Sequence, residues 1–486
     1  MFLRRMQDRL KGCVIIVPDR ASMDAVGILT GFRQGWYECL TARADAVFAL
    51  SDALACRPGP VESVPGLSLE PEFGRGHGAL YDGLTSGRVD ENALRALLLG
   101  TVAPGRDGVT WFAGDVSGWA RPAAVTSPLR VAMFDKSART LAGHPITSGW
   151  PFAMLVGLSW GPSSWTAPVD AVRIGPTDTL TGVTLAAMER VHAGLAGAGR
   201  TDTPGFVFDA EYDLMALSHR MADRVHVVGR LRSNQKFHAL PEPESGPVRR
   251  GRTRRHGPAI QLNKPETLGD PDRHAEIVSP RYGRVRISAW DDRHRRIQRD
   301  GFWVDHPGVL PIVSGSVVRI ECERLPGGTG GVVGPMWLWH AGPESLDVVT
   351  IFAVYQRRFD IEHTFRFVKQ ELGWTRPAPL SPETASLWTW IVLVVYTQLR
   401  LARGVCRDRR LPWEKPLEPD RLPPRRVRRD FRRVRALLGT PAKPPKFSRP
   451  GPGRPRGGTS VPRDRHPTQK KTTRRPRKKT KTKPQG

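Results

Sequence analysis

The chain has 486 residues and a formal charge of +28, with 75 Lys and Arg against 47 Asp and Glu. This length excludes a mini-protein scaffold and allows two to four domains with hydrophobic cores. The strong positive charge indicates a polyanionic partner. Nucleic acid is the simplest candidate, and acidic proteins or anionic membrane surfaces also fit. Residues 401–486 hold 29 Lys and Arg but only six Asp and Glu, so a basic tail follows a body of ordinary composition.

Neither the cysteines nor the apolar segments indicate export or a membrane span. The five cysteines are far apart and form no C-x-x-C motif, which predicts no zinc site and no disulfide framework. The apolar run before Pro18 is too short for a signal peptide. Leu387 to Leu399 falls short of the roughly 20 residues that cross a bilayer. We therefore expect a cytoplasmic protein without a membrane partner, in which 387–399 is a buried helix.

The first 105 residues predict a small helical domain that binds DNA. Apolar residues recur at helical spacing from Phe32 through Trp36 and Leu40 to Leu54. A second helix is predicted after Asp90, which is a suitable N-cap. The first 22 residues contain no convincing element.

Residues 106–231 have an α/β texture. Three short β-rich runs, VTWFAG before Asp115, PFAMLVGLSW and WTAPVDAVRI, predict three consecutive strands. A helix is then predicted over 179–195, a fourth strand over 206–208 that ends at Asp209, a helix over 211–222 and a strand over 224–229. This order of strands and helices is typical of an α/β domain.

The structure of the remaining segments is predicted from their composition. Residues 232–345 are rich in Arg, Pro and Gly and show alternating runs, which predicts an inserted β subdomain. Arg-rich stretches at 249–255 and 293–299 either follow phosphates or are solvated loops. Helical texture resumes over 346–405 and a basic helical segment over 406–440. Residues 441–486 have too few apolar side chains to fold alone and are predicted to be disordered.

Within this tail, PGRPR at 452–456 resembles the core of an AT-hook. In such a strip, arginines enter narrow A·T minor grooves, so Arg454 and Arg456 are candidate DNA contacts. A low-complexity solubilising tail is an equally good interpretation.

The most informative segment is VYQRRFDIEHTFRFVKQEL at 354–372. If it forms one helix, Arg358, Glu362, Arg366 and Lys369 all fall within about 60° of Tyr355. The helix would then bury an apolar stripe and present one carboxylate among cationic and phenolic groups, with Asp360 on the far side. A surface helix with i,i+4 ion pairs is the alternative.

The spacing Y-x2-R-x3-E-x6-K in this segment resembles the signature of one branch of the DDE transposases of bacterial insertion sequences. The resemblance implies an α/β fold. A ribonuclease H-like catalytic domain (106–231 and 346–405) is interrupted by the β insertion, with the N-terminal helical domain and the disordered basic tail at its ends. It also implies one Asp in or ending the first strand, a second after the fourth strand, and a Glu on a later helix. Asp115, Asp209 and Glu362 occupy those places.

The resemblance further implies the chemistry. Asp115, Asp209 and Glu362 would be the catalytic residues and would hold two Mg²⁺ ions, with Mn²⁺ as a substitute. These ions would cleave DNA at the ends of the element and join the 3′-hydroxyls to target DNA. By resemblance, Tyr355, Arg358 and Lys369 contact DNA phosphates, and the enzyme acts as a synaptic homodimer with a hairpin intermediate. The helical wheel adds Arg366.

Several alternatives stay open. Asp115 could cap a turn, Asp209 could N-cap the following helix, and Asp213 could replace Asp209 as a ligand. Trp337 and Trp339 are expected in the core rather than stacked on a DNA base. The chain as a whole could be a DNA-binding protein that has lost catalysis.

A different enzyme class is suggested by Gly157 to Gly161, GLSWG, which matches the G-x-S-x-G turn of serine hydrolases and would make Ser159 a nucleophile. That turn must open a helix. Pro162 follows at once here, so a hairpin is favoured and the hydrolase is improbable.

Overall fold

The computed structural model describes residues 20–134, 146–241, 254–326, 334–446 and 462–468. Within these ranges the protein is a mixed α/β structure built on one large mixed sheet, with helices on both faces. Its elements are given below in chain order.

The N-terminal region is helical, as its periodicity predicts. The side chain of Asp90 accepts hydrogen bonds from the amides of Asn92 and Ala93, both 3.0 Å long, and so caps the last helix of the region. The elements are α1 (Arg20–Cys39), β1 (Leu40–Ala42), α2 (Ala44–Cys56), α3 (His77–Ser86), β2 (Arg88–Val89) and α4 (Glu91–Leu99).

In the half of the sheet formed by residues 109–231, four antiparallel strands are followed along the chain by two parallel ones. In this half β3 pairs antiparallel with β5 and parallel with β7, while β7 pairs parallel with β8. This arrangement is consistent with a ribonuclease H-like domain. The elements are β3 (Val109–Ala120), β4 (Val131–Phe134), β5 (Ile146–Gly157), β6 (Ala167–Arg173), α5 (Leu180–Gly197), β7 (Thr203–Phe208), α6 (Leu214–Arg220) and β8 (His226–Leu231).

Three details of this half differ from the sequence prediction. The first strand does not end at Asp115: β3 continues to Ala120, because Val116 to Ala120 pair with the first half of β5. The short strand β4 was not predicted, so Asp209 follows the fifth strand of the region rather than the fourth. The helix predicted over 211–222 is shorter, since Asp213 caps it and it begins at Leu214.

The segment predicted to be a β insertion, residues 232–345, extends the same sheet. The strand order is β10, β9, β12, β13, β14, β8, β7, β3, β5, β4, with β11 paired to β12 and β6 paired to β5. Its last strand returns beside β8, so the two halves share one continuous surface. The strands are β9 (Lys236–Ala239), β10 (Ala259–Gln261), β11 (Arg273–Ser279), β12 (Gly283–His294), β13 (Ser314–Cys322) and β14 (Met336–Ala341).

Four α-helices follow within the residues that the structure describes. They are α7 (Val348–Arg358), α8 (Asp360–Gln370), α9 (Pro382–Ala402) and α10 (Pro424–Leu438). Helix α9 contains the predicted apolar segment. Among the residues described it is the one helix long and apolar enough to span a bilayer, and 83% of its most apolar window is buried inside the protein. It packs against α1, α2, α3 and α10, which confirms the buried-helix prediction.

Alternation along β3 divides the core between the two faces of the sheet. Trp111 and Ala113 point into the cluster that includes the N-terminal helices and α9. Phe112 points into the other cluster, beneath α5 and α6, where it stacks on Phe206 with ring centroids 5.5 Å apart. Trp337 and Trp339 are buried, as expected for core residues.

A buried ion pair joins the N-terminal helices to the C-terminal ones. Arg33 on α1 contacts both carboxylate oxygens of Asp52 on α2, at 2.6 and 3.1 Å. The same guanidinium donates to Gln398 of α9, and Arg435 of α10 donates to Asp52 at 3.1 Å. Both Arg33 and Asp52 are almost fully buried, so each charge depends on the other.

Asp52→Asn is expected to lower the free energy of unfolding by about 3 to 5 kcal/mol, because it leaves the Arg33 charge buried without a counterion. The exposed pair of Arg220 with Glu189 provides the control, and Glu189→Gln should change stability by less than about 0.5 kcal/mol. Urea unfolding of both variants measures the difference. Equal losses of unfolding free energy in Asp52→Asn and Glu189→Gln would show that the buried network does not hold the helices together.

Candidate active site

Asp115 and Asp209 are brought together by the pairing of two parallel strands. Ala113 on β3 lies opposite Val207 on β7 at the end of the paired stretch. Two residues further along each chain segment, Asp115 and Asp209 lie close enough for the charge of Asp209 to raise the pKa of Asp115. Neighbouring strands are about 4.8 Å apart, so two residues at equivalent positions present their side chains side by side. Gly114 allows close packing here, since a Cβ at this position would clash with the ring of Phe208.

The local hydrogen bonds decide between the alternatives for the two aspartates. Asp115 lies inside β3 and accepts the amide of Val116 at 2.7 Å, so the turn-cap alternative is wrong. Asp213 caps α6 by accepting the amide of Ala216 at 3.1 Å. Asp209 accepts only the amide of Glu211, at 2.9 Å, and does not serve as the N-cap. The capping role therefore belongs to Asp213, and Asp209 keeps one oxygen for other partners.

The segment 354–372 forms two helices rather than one. Phe359 separates α7 from α8 but keeps right-handed helical angles (φ −62°, ψ −18°), so the chain turns only locally. Glu362 consequently remains within reach of Arg358, at 3.2 Å between Nη2 and Oε1. The one-residue break differs from the predicted uninterrupted helix, but the i,i+4 contact between Arg358 and Glu362 is kept across it.

Arg358 occupies the centre of the site. Its Nη1 lies 3.8 Å from Oδ2 of Asp115, while its Nη2 contacts Glu362. The guanidinium also lies over the ring of Tyr355, 5.7 Å from the centroid. One cation therefore connects an aspartate of the sheet to the glutamate of α8.

The electrostatics show that this is a site of concentrated negative charge. Burial, together with the neighbouring charge of Asp209, raises the pKa of Asp115 to about 6. Burial alone would lower the pKa of Arg358, but Tyr355, Asp115, Asp209 and Glu362 outweigh it and raise that pKa. The carboxylates thus favour a cation among them.

The other predicted DNA contacts differ in their surroundings. Tyr355 is buried, and burial raises the pKa of its hydroxyl although Arg358 and Arg230 oppose this. Arg366 is exposed on α8. Lys369 lies over the ring of Trp374, 5.8 Å from the centroid. Arg454 and Arg456 lie outside the described residues.

Ser159 lies on an exposed loop that leads from β5 directly into β6. No helix follows it, so the turn required for a nucleophilic serine is absent at this position and the hydrolase interpretation is wrong.

A family model described as DDE superfamily endonuclease matches residues 36–297, which is more than half of the chain. The chain belongs to this family. The match contains Asp115 and Asp209 but ends before Glu362, so the place of the glutamate rests on the geometry of α8. No curated protein matches the chain significantly.

DDE superfamily endonucleases generally use divalent metal ions, and three carboxylates are a suitable donor set for Mg²⁺. In the ranges that the structure describes, no three His, Cys, Asp or Glu side chains are arranged to share one ion. Arg358 bridges two of the candidate ligands instead. The carboxylate donors and the excess of negative charge around Asp115 fit a bound cation. To bind that cation, Glu362 would have to give up its ion pair with Arg358.

Two further features of this endonuclease were not foreseen from the sequence. Tyr212 is buried, and burial first and the charges of Asp115 and Asp209 second raise its pKa well above the ordinary value. An open pocket of about 370 Å³ begins beside Asp209 and runs to the insertion. Its lining includes four exposed arginines, Arg230, Arg232, Arg295 and Arg296. The Arg-rich stretch at 293–299 was the only available signal for it.

Asp115→Asn is expected to stabilise the metal-free endonuclease at pH 8 by up to about 2 kcal/mol. The pKa of Asp115 is about 6 in the fold and lower in the unfolded chain, so the folded state loses stability as the pH rises from about 4 to 6. The gain should therefore disappear below pH 4. Urea unfolding at pH 3.5 and pH 8 tests this, and a gain independent of pH would contradict the assignment.

Proposed function

We propose that this DDE superfamily endonuclease is the transposase of a bacterial insertion sequence. It would cleave phosphodiester bonds at the ends of its element and join the 3′-hydroxyls to target DNA. The observation that carries the proposal is the convergence of Asp115, Asp209 and Glu362 on Arg358, from two strands and a later helix. The spacing of Tyr355, Arg358, Glu362 and Lys369 supports this particular branch of the family.

In the proposed mechanism, Asp115, Asp209 and Glu362 hold the catalytic Mg²⁺. Two ions bound there would activate water or a 3′-hydroxyl and stabilise the leaving oxygen of the phosphodiester. Asp115 is well suited to this role because its strand is buried on both faces and fixes the carboxylate in one position.

Arg358 would change partners during the reaction. Without DNA, its guanidinium balances the charge of Asp115 and Glu362. A DNA phosphate offers the same planar, bidentate recognition that a carboxylate does. We infer that Arg358, with Tyr355 beside it, then binds the phosphate next to the scissile bond and releases Glu362 as a ligand.

The DNA would continue from the carboxylates over the arginine-lined pocket. In the described part of the chain, no ion pair joins Arg232, Arg295 or Arg296 to a carboxylate, so these cations are available for phosphates. Arg230 faces the hydroxyl of Tyr355. Arg366, exposed on α8, would contact the strand on the other side. The pairing of two element ends by a homodimer belongs to the same proposal.

Cleavage of the flanked end of the element by the purified chain with Mg²⁺ tests the proposal. Glu362→Gln keeps the size of the side chain but removes the charge, and it should reduce the cleavage rate by at least roughly 10²-fold while DNA binding persists. Glu189→Gln, on the surface of α5, is the matched control and should cut as wild type does.

Two outcomes would contradict the proposal. Equal cleavage by Glu362→Gln and wild type would remove Glu362 from the site. Binding without cleavage by the wild type would favour the second candidate, a DNA-binding protein that has lost its catalytic function.

A further inference from the structure

Part of the basic tail contacts the body of the protein. Residues 462–468 have no regular secondary structure, but the amide of His466 donates to the carbonyl of Val125 at 2.8 Å. The carbonyl of His466 accepts from Nη2 of Arg130 at 2.8 Å, and the hydroxyls of Thr468 and Ser148 are 2.7 Å apart. The segment therefore uses backbone and side-chain groups on two different elements.

The receiving surface is held in place by Arg130. This guanidinium is only 3% exposed. Its other donors bond the carbonyls of Ser127, Arg121 and Pro122, which fixes the loop between β3 and β4. The remaining contact is the one to His466. A buried guanidinium with one donor directed outward is a preorganised hydrogen-bond donor for a backbone carbonyl.

The contact lies at a defined distance from the carboxylates. Ser148 is on β5, and Met154 of the same strand lies opposite Asp115. Six residues of extended strand correspond to roughly 20 Å. The tail thus meets the body at the far end of the antiparallel pair of strands β3 and β5, on the extension of β3 beyond Asp115.

We propose that residues 462–468 form an intramolecular docking segment that fixes the basic tail to the end of this pair of strands. Nine Lys and Arg follow the segment in 469–486, and three Arg precede it in 447–461, with no acidic residue in either stretch. Docking makes both runs tethered arms near the active site. The 18 residues after the segment reach at most about 60 Å when extended.

This inference changes the role predicted for the tail. A tethered arm has a raised effective concentration at DNA that is already bound by the body, so it adds affinity without a new contact. That second step rests on the proposed DNA-binding function. The docking itself does not, and the two are tested separately.

Disulfide formation in the full-length chain tests the docking. Ser148→Cys with Thr468→Cys places two thiols where the hydroxyls are in contact, and mild oxidation should link them within one chain. Thr147→Cys with Thr468→Cys is the matched control, because adjacent residues of a strand point to opposite faces. We expect the control to link at least about 10-fold more slowly. Equal rates, or links mainly between two copies, would overturn the proposal.

The effect on DNA is measured with His466→Pro combined with Thr468→Val. These changes remove one amide donor and one hydroxyl from the tail, leave the body untouched and keep the net charge at pH 8. Affinity for a 60-bp duplex of generic sequence should fall about 3- to 10-fold. Pro462→Ala should have no effect.

Unchanged affinity in the loosened variant, after the disulfide has confirmed docking, would overturn the positioning role. If neither the wild type nor the variant binds DNA, the proposed function fails, while the disulfide result still decides the docking.

Discussion

The in-register pairing of β3 with β7 is the constraint on which the candidate site depends. Parallel pairing fixes the side chain after Phe208 relative to the one after Gly114, and both are aspartates. A shift of one residue would turn Asp209 to the other face of the sheet. The large apolar residues on both faces of these strands, such as Trp111 and Phe112, hold the register. Burial of the core and proximity of the carboxylates are therefore consequences of the same pairing.

The glutamate reaches this position in spite of a long insertion. Residues 232–345 separate Asp209 from Glu362 in sequence, but the last insertion strand, β14, returns to pair with β8. Helix α7 then follows, and it contacts β3, β7 and β8. The insertion enlarges the sheet without changing the place where the chain re-enters the site. It also brings Arg295 and Arg296 to the pocket beside Asp209, which offers a basic surface contiguous with the carboxylates.

The sequence predicts the three carboxylates as ligands because their signals are local. Asp115 and Asp209 follow recognisable apolar runs, and Glu362 stands in a motif with fixed spacing. The errors concern properties that tertiary contacts decide. The continuation of β3 beyond Asp115 depends on pairing with β5, and the helix break at Phe359 has no Gly or Pro to announce it. Tyr355 was placed on an exposed polar face although it is buried, since the helical wheel did not include the sheet beneath.

The tail shows the same limit. Its composition predicts a chain that cannot fold alone. The structure describes residues 462–468 of this tail, which have no secondary structure but contact the body. Their docking depends on the buried Arg130, whose role is invisible in a sequence rich in arginine. Tyr212 was missed for a similar reason, because a tyrosine beside an N-cap has no distinguishing pattern. The long-range partners of single polar residues therefore could not be predicted from the sequence.

Metal-directed backbone cleavage tests the central claim most directly. Fe²⁺ in place of Mg²⁺, with ascorbate and peroxide, produces radicals at the bound ion that cut the nearest peptide backbone. The account predicts fragments ending near residues 115, 209 and 362, suppressed by excess Mg²⁺ and lost in Asp115→Asn with Asp209→Asn. Cuts confined to other regions, or a pattern unchanged by these substitutions, would contradict the assignment of the carboxylates as a metal site.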